Sequence, residues 1–475
     1  MTLASRYDIV VIGAGPAGLA TAAESVAMGL RVALVDEQGA PGGQIYRAIT
    51  TTPVQQRDVL GADYWYGEKL VAAFERSGAA YSPRTTVWAV TREADEFEIG
   101  LSCDGAAQLI RARQVILATG AQERPFPIPG WTLPGVMTAG AAQILMKSAG
   151  LVPGGTTVLA GSGPLLYLIA AQFTAAGAKV ECLLDTTPPG RWREVLRHAP
   201  DFVASPYAAK GWSMLRAAQR MMRIVKGVER LSAIGADKLE GVRFTTGGHT
   251  QDIPADLLLL HQGVVPGINL SNAIGCAHHW DAAQACFTPT VDDWGATSIP
   301  GITIAGDAAG IAGARSAEAR GTLAALHAAS ALGHLRTAQR DAQAVAPRRE
   351  LERWNRGRKF VDALYLPAPE FRIPAGDTIV CRCEEVTARQ VTGTVALGCT
   401  GPNQMKSFLR CGMGPCQGRL CGLTVTELIA KERGVSPAET GYYRLRFPVK
   451  PITLGELAAL PQTDASVDAV VRIKR

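Results

Sequence analysis

Residues 7–12 (YDIVVI) form a short apolar and β-branched run near the start of the chain. Four apolar residues in a row without alternation predict a strand buried on both faces, as in a parallel sheet. The run ends in Gly13, Gly15 and Gly18, and the following LATAAESVAMG has helical composition. A second short strand, 31–35, closes on Asp36 and Glu37. Strand, glycine turn, helix and strand together predict a complete βαβ unit. A weaker copy follows: 158–163 (VLAGSG), a helix to about Gly177, and a strand over 179–185 (KVECLLD). Residues 115–120 (VILATG) and 301–307 (GITIAGD) predict two more strands, the second leading into a Gly- and Ala-rich helix start. Residues 191–226 read as one helical stretch. Met214, Ala218, Met221 and Val225 line one face of it and Arg216, Arg220 and Arg223 another.

The chemistry of the first unit follows from residue type. Gly13 permits the tight turn, Gly15 lets the backbone approach a pyrophosphate, and Gly18 lets the helix pack close to the strand. Pro16 and Ala17 complete the turn, and the helix N-terminus offers free N–H groups and a positive dipole end to phosphate. Asp36 lies 18 residues after Gly18, the reach needed to accept bonds from an adenosine ribose, with Glu37 the adjacent alternative. The fingerprint alone does not separate NAD from FAD. In the second unit Leu166 stands where the third glycine belongs, which should disturb the phosphate seat.

Composition narrows the classes. With 475 residues, 47% hydrophobic and 19% charged, the chain can bury several cores and is not disordered overall. The net charge of +6 is modest for this length and argues against nucleic-acid binding. Its distribution is uneven: residues 191–226 hold eight basic residues against Glu194 and Asp201. That stretch is either a solvated helix or a docking face for a protein partner or an anionic ligand. Only Arg6 is positive before the first apolar run, which leads straight into glycines, so a strand and not a targeting segment is expected there. The longest uncharged stretch, 148–178, is broken by Pro153, Gly154, Gly155, Gly161, Gly163 and Pro164, so no membrane span is expected. A soluble, cytoplasmic protein is expected.

Cysteine usage adds a second chemistry. Six of ten cysteines lie between Cys381 and Cys421. Cys381 and Cys383 form a CxC pair, and Cys411, Cys416 and Cys421 follow in CGMGPCQGRLC. Four thiolates from two close pairs suit tetrahedral zinc or an iron–sulfur cluster in a reducing compartment. Cys399 reads as a small core residue. His278 and His279 sit in a segment read as a loop without a third ligand nearby. His261 sits at a predicted strand end.

Residues 1–330 resemble the two-dinucleotide-fold flavoproteins, relatives of glutathione and thioredoxin reductases. The resemblance rests on the glycine fingerprint, on VILATG and GITIAGD, and on PGGQ at 41–44. It implies an α/β fold with two Rossmann-like domains of the glutathione-reductase type. It also implies FAD in the first site, with Asp307 on the ribityl chain. Gly43 and Gln44 would approach the flavin, and Thr119, Gly120 and Gly306 would lie at the ends of the flanking strands. The FAD domain is expected to be discontinuous, 1–125 plus 285–340, with a second nucleotide-type domain and its helical insert at 126–284. No CxxC or CxxxxC pair occurs in 1–330, so dithiol chemistry is not expected.

The C-terminal run resembles the small helical [2Fe–2S] domain of bacterioferritin-associated ferredoxin. That resemblance implies Cys381, Cys383, Cys416 and Cys421 as ligands, with Cys411 as an alternative. A connector at 341–375 precedes this domain (376–435), and a tail (436–475) follows it. DEQGAPGGQIYR, GSGPLL, the cysteine run and PVKPITLGELA together resemble a narrower group. This is the A-type subunit of heteromeric opine oxidases, proline and hydroxyproline dehydrogenases and hydrogen cyanide synthase. That resemblance implies one subunit of an oxidoreductase for CH–NH donors, with catalytic residues unassigned here. Its implied partners are a smaller FAD-dependent subunit related to D-amino-acid oxidase and, in a larger assembly, a third small subunit. FMN between subunits, an adenine nucleotide in place of FAD, and peripheral association with a respiratory membrane belong to the same expectation. The alternatives are a self-contained NAD(P)H-dependent flavoenzyme that reduces its own cluster, and a scaffold whose bound nucleotide is structural.

Overall fold

The computed structural model describes residues 3–461; the end of the tail, 462–475, lies outside the described residues. The strand Arg6–Ile12 pairs in parallel with Val32–Val35 on one side and Ala106–Leu117 on the other. Ile9 and Val11 face one side of this sheet and Val10 and Ile12 the other, and all four are buried. This two-sided burial explains the unbroken apolar run. Ile302–Ile304 joins the same sheet in parallel, with Ile304 opposite Leu117. Thr85–Glu93 and Glu96–Cys103 extend it as an antiparallel meander. The helices Pro16–Ala27 and Ala314–Ala331 cover one face. They approach so closely that a Cβ at Gly321 would lie 2.2 Å from the carbonyl oxygen of Ala17.

The second sheet has the strand order 223–226, 180–185, 157–162, 257–262, 136–138, all parallel. The helix Pro164–Ala175 packs on one face, and its core is continuous with that of the first fold through Leu159, Leu166 and Phe173. The other face packs on the antiparallel sheet 228–254 through Val242 and Phe244. Two Rossmann-like α/β folds therefore share one interior. A two-stranded ribbon, Ala121–Glu123 against Val264–Pro266, joins them. The cysteine-bearing region is a small hairpin, Ile379–Cys381 with Val386–Thr387, followed by helices Ala388–Ala396, Pro402–Leu409 and Gly422–Arg433.

Two expectations are corrected. Residues 191–226 are not one helix. They break into Arg191–Val195, a 3₁₀ turn, Ala199–Val203 and Pro206–Met221, then the strand Arg223–Lys226. Pro200 and Pro206 each start a new helix, where a missing N–H costs nothing. Val225 pairs with Leu184 and so leaves the helical face assigned to it. Likewise His278–Asp281 is a strand of a hairpin with Cys286–Pro289, not a loop.

Gly321→Ala should lower stability by about 1–3 kcal/mol, because backbone, not a flexible side chain, blocks the methyl. Gly39→Ala, with nothing within 4 Å of the new Cβ, should leave the denaturation midpoint unchanged. Equal midpoints for the two variants would contradict the close approach of these helices.

Candidate functional site: a glycine-lined cradle joined to a cysteine nest

The parallel strands of the first sheet end along one edge, and the turns after them form a cradle. Gly13 has φ +107, and a Cβ there would lie 2.4 Å from the carbonyl oxygen of Ala118. A Cβ at Gly18 would lie 1.8 Å from Gly13 O. Turn, helix and strand thus interlock only with glycine at both places. Gly15 is different: its nearest neighbour would be Gly43 Cα at 3.9 Å, so the backbone there stays open to a ligand. Pro16 opens the helix, and Ala17 packs against Gly306, where a Cβ would lie 2.8 Å from Ala17 Cβ. Asp307 accepts hydrogen bonds from Ala312 N (2.9 Å) and Gly313 N (3.0 Å), which fixes the turn before the helix Ala314–Ala331. Arg320 Nη1 donates to Gly306 O (3.1 Å) and Gly310 O (2.7 Å).

The two acids at the end of Val32–Val35 part company. Asp36 points at the glycine turn and accepts from Ala14 N (2.5 Å) and Gln38 N (2.7 Å). Its burial raises its pKa, although these bonds oppose the rise. Glu37 is exposed and pairs with Lys450 of the tail at 2.7 Å, so it does not join the cradle. Gln44 is held by Arg47, whose Nη2 donates to Gln44 Oε1 (2.9 Å). Behind the same loop, Lys147 Nζ donates to Ile45 O and to Gln143 Oε1, both at 3.0 Å. Burial lowers the Lys147 pKa to about 7. Sequence reasoning missed Lys147. The only signal was a single lysine among the apolar residues of AGAAQILMKSA.

Thr119 and Gly120 leave the cradle and lead into the ribbon. Thr119 Oγ1 donates to Gly267 O (2.9 Å), and Gly267 N donates to Gly120 O (2.9 Å). Gln122 Nε2 then donates to Arg419 O (2.8 Å), and Asn269 Nδ2 donates to Gln417 O (3.0 Å). Both acceptors lie between Cys416 and Cys421. The cradle edge and the cysteine run are therefore direct neighbours.

In that run, the sulfurs of Cys381, Cys411 and Cys421 all lie within 4.8 Å of one another, and all three residues are buried. Cys383 and Cys416 lie within hydrogen-bond reach of each other nearer the surface. Hydrogen bonds from the Cys411 and Cys421 thiols hold Cys381 far below the ordinary thiol range, at about 2. The same bonds push Cys411 up to about 12 and raise Cys421, so the trio favours a single thiolate, on Cys381. Cys399 lies apart in the core, with its Sγ near Gly401 O (3.4 Å). A surface pair beside a buried trio supplies two pairs of sulfur donors and one more thiol. That donor set fits a cysteine-held cluster.

The second glycine turn is built differently. Tyr167 donates from its hydroxyl to Asp185 Oδ2 (2.5 Å), and Thr187 N takes the other oxygen (2.8 Å). Both oxygens of this acid have partners within the chain, as those of Asp36 do; the difference is that one partner here is a side chain, Tyr167, and not backbone. Leu166 is fully buried. His261 Nδ1 and Glu123 Oε1 are 2.7 Å apart, while Glu123 Oε2 accepts from Gly140 N (3.0 Å). His278 meets Ser271 Oγ and Cys276 O, and His279 meets Thr290 and Thr288. The structure does not bring these two histidines to a common ligand.

Residues 7–333 match the pyridine nucleotide-disulphide oxidoreductase family, and residues 375–460 match the sarcosine oxidase A3 domain. The opine oxidase A-subunit of Agrobacterium tumefaciens (strain Ach5) is 50% identical, covering 98% of this chain and 94% of its own length. The chain belongs to the opine oxidase A-subunit family. The HcnB subunit of hydrogen cyanide synthase from Pseudomonas protegens is 30% identical over 96% of this chain and 98% of that protein. The L-proline dehydrogenase structure from P. horikoshii shares the fold, with a TM-score of 0.71 and 21% identity over 95% of this chain and 79% of that one. Membership of the oxidoreductase family implies a flavin cofactor. The open backbone at Gly15, the helix start at Pro16 and the inward-facing Asp36 fit the adenosine diphosphate half of a flavin dinucleotide. No helix among the described residues is long and apolar enough to cross a membrane.

Lys147 carries a testable pH dependence. Its folded pKa of about 7 lies below the ordinary 10.5, so the unfolded chain binds more protons between these values and stability rises with pH there. The contribution levels off below pH 7, where both states are protonated, and above pH 10.5, where neither is. Wild type relative to Lys147→Met should gain up to about 1.4 kcal/mol per pH unit across that window. Denaturant titrations at stepped pH measure this, and parallel curves for the two proteins would refute a buried, depressed lysine.

Proposed function

We propose that this chain is the electron-transfer component of a heteromeric dehydrogenase that oxidises an opine or related secondary amine. The amine is oxidised on a smaller FAD-dependent partner, and the electrons leave for a respiratory or dye acceptor. In this reading Gly13, Gly15, Pro16, Ala17, Gly18, Asp36, Gly43, Gln44, Thr119, Gly120, Gly306 and Asp307 hold FAD. Cys381, Cys383, Cys416 and Cys421 hold a [2Fe–2S] cluster. When bound, the flavin supplies two-electron chemistry and the cluster one-electron chemistry.

The observation that carries the reading is the hydrogen bond from Gln122 to Arg419 O, with its companion from Asn269 to Gln417 O. These bonds hold the cysteine loop against the segments that bear Thr119, Gly120 and Gly267. The names of the relatives support the substrate class. The chain's own residues do the positioning. Asp36 and the glycine turn seat the nucleotide, Lys147 and Arg47 hold the Gly43–Gln44 loop, and the ribbon fixes the spacing. No general base on this chain is required if the amine proton is handled on the partner.

The self-contained NAD(P)H-dependent alternative meets an obstacle at the second turn, where the Tyr167 side chain donates to Asp185 and the buried Leu166 stands in the third-glycine position. Purified alone, the chain should not turn over opines, hydroxyprolines or glycine, and addition of the FAD-dependent partner should restore turnover. Robust turnover by the isolated chain would overturn the assignment. NADH and NADPH should leave the flavin absorbance unchanged on the stopped-flow timescale; rapid bleaching would favour the alternative.

The ligand set makes a separate prediction. Cys411→Ala should keep its iron and acid-labile sulfide, whereas alanine at Cys381, Cys383, Cys416 or Cys421 should abolish both. Loss in Cys411→Ala with retention in Cys421→Ala would transfer the ligand role to Cys411.

A further inference from the structure

We propose that Tyr443 is the hydrogen-bond donor that tunes the cysteine nest: a positioning residue, not a ligand, which raises the reduction potential of the centre held there. The inference rests on reading the nest as an iron–sulfur site. Tyr443 comes from the segment after the last helix of the cysteine domain and is 1% exposed. Its ring lies in a slot made by two glycines of the cysteine run. A Cβ at Gly412 would lie 2.5 Å from the Tyr443 Cζ, and one at Gly418 would lie 2.6 Å from its Cδ2. Any side chain at either position would expel the ring. The spacing of glycines in CGMGPCQGRLC thus serves an aromatic residue supplied from more than 20 positions downstream.

The slot aims the phenol at sulfur. Tyr443 Oη is 3.8 Å from Cys421 Sγ, and Cys411 also lies within its hydrogen-bond reach. Among the described residues these thiols are its partners, and a buried hydroxyl without one would carry a desolvation penalty. Lys406 stands over the ring, with Nζ 5.0 Å from its centroid, and donates to Arg444 O (3.0 Å), which fixes the backbone next to Tyr443. Burial, reinforced by the neighbouring sulfurs, holds the phenol pKa well above its ordinary value.

Reduction adds one electron, and part of the added charge resides on the ligating sulfurs. An O–H aimed at one of them stabilises the reduced state more than the oxidised state. The proton stays on Oη throughout, so the effect is electrostatic and no bond breaks.

The test uses the full chain assembled with its partner. Tyr443→Phe keeps the ring in its slot and removes only the hydroxyl. Iron, sulfide and flavin contents should match wild type. At a fixed solution potential the reduced-to-oxidised ratio should fall roughly three- to tenfold, the worth of one hydrogen bond. A tenfold fall is about 59 mV for one electron. A cluster retained at unchanged potential would overturn the proposal. If Tyr443→Phe does not fold, protein labelled with 3-fluorotyrosine, whose phenol is a stronger donor, should shift the potential upward, and no shift would overturn the proposal equally. Wild-type protein without iron would instead refute the reading of the nest, and metal analysis before titration separates the two failures.

Discussion

The seam between the ribbon and the cysteine loop, where Gln122 donates to the Arg419 carbonyl, Asn269 donates to the Gln417 carbonyl and Leu423 packs with Val265, Ile268 and Phe287, is the constraint on which the arrangement depends. The Gln122 bond alone spans more than 290 residues of sequence between the ribbon that leaves the cradle and the cysteine loop. The same three-residue strand meets the second fold, because Glu123 engages both His261 and the N-terminus of the helix Ala139–Ala149. A shift of this ribbon would therefore disturb three sites together. Its partner strand, Val264–Pro266, has Val265 and Pro266 buried, so the ribbon is packed and not merely tethered.

The two nucleotide folds share a core and differ in what their turns offer. At the first turn, Gly15 leaves backbone open and Asp36 faces inward. At the second, Tyr167 reaches from its helix to occupy Asp185, and Leu166 fills the interior. The two turns thus differ in that a tyrosine side chain and a leucine stand at the second where backbone and glycine stand at the first.

Much of this was legible in the sequence because it is local. A buried parallel strand followed by Gly13, Gly15 and Gly18 leaves few other physical solutions, and the α/β class follows from it. The tight cysteine spacing likewise announces itself. The missing parts depend on partners far apart in sequence. Tyr443, Lys147 and the Glu123–His261 pair carry no local periodicity that marks them. Residues 223–226 show the converse error. Helical spacing from Met214 to Val225 was real as a pattern, yet Ile224 and Val225 are β-branched and lie beside an open sheet edge at 180–185, and the sheet won. Glu37 and Asp36 are equivalent by spacing, and it is the distant Lys450 that turns Glu37 outward.

The central claim is that a carrier of electron pairs and a carrier of single electrons share this polypeptide and communicate across the ribbon. Anaerobic purification of the intact complex, followed by EPR after reduction with its amine, tests this most directly. The account predicts flavin, with iron and acid-labile sulfide in equal amounts, and a one-electron cluster signal that grows with amine addition. A colourless chain whose thiols hold zinc or nothing, or a cluster that stays silent while flavin is reduced, would contradict it.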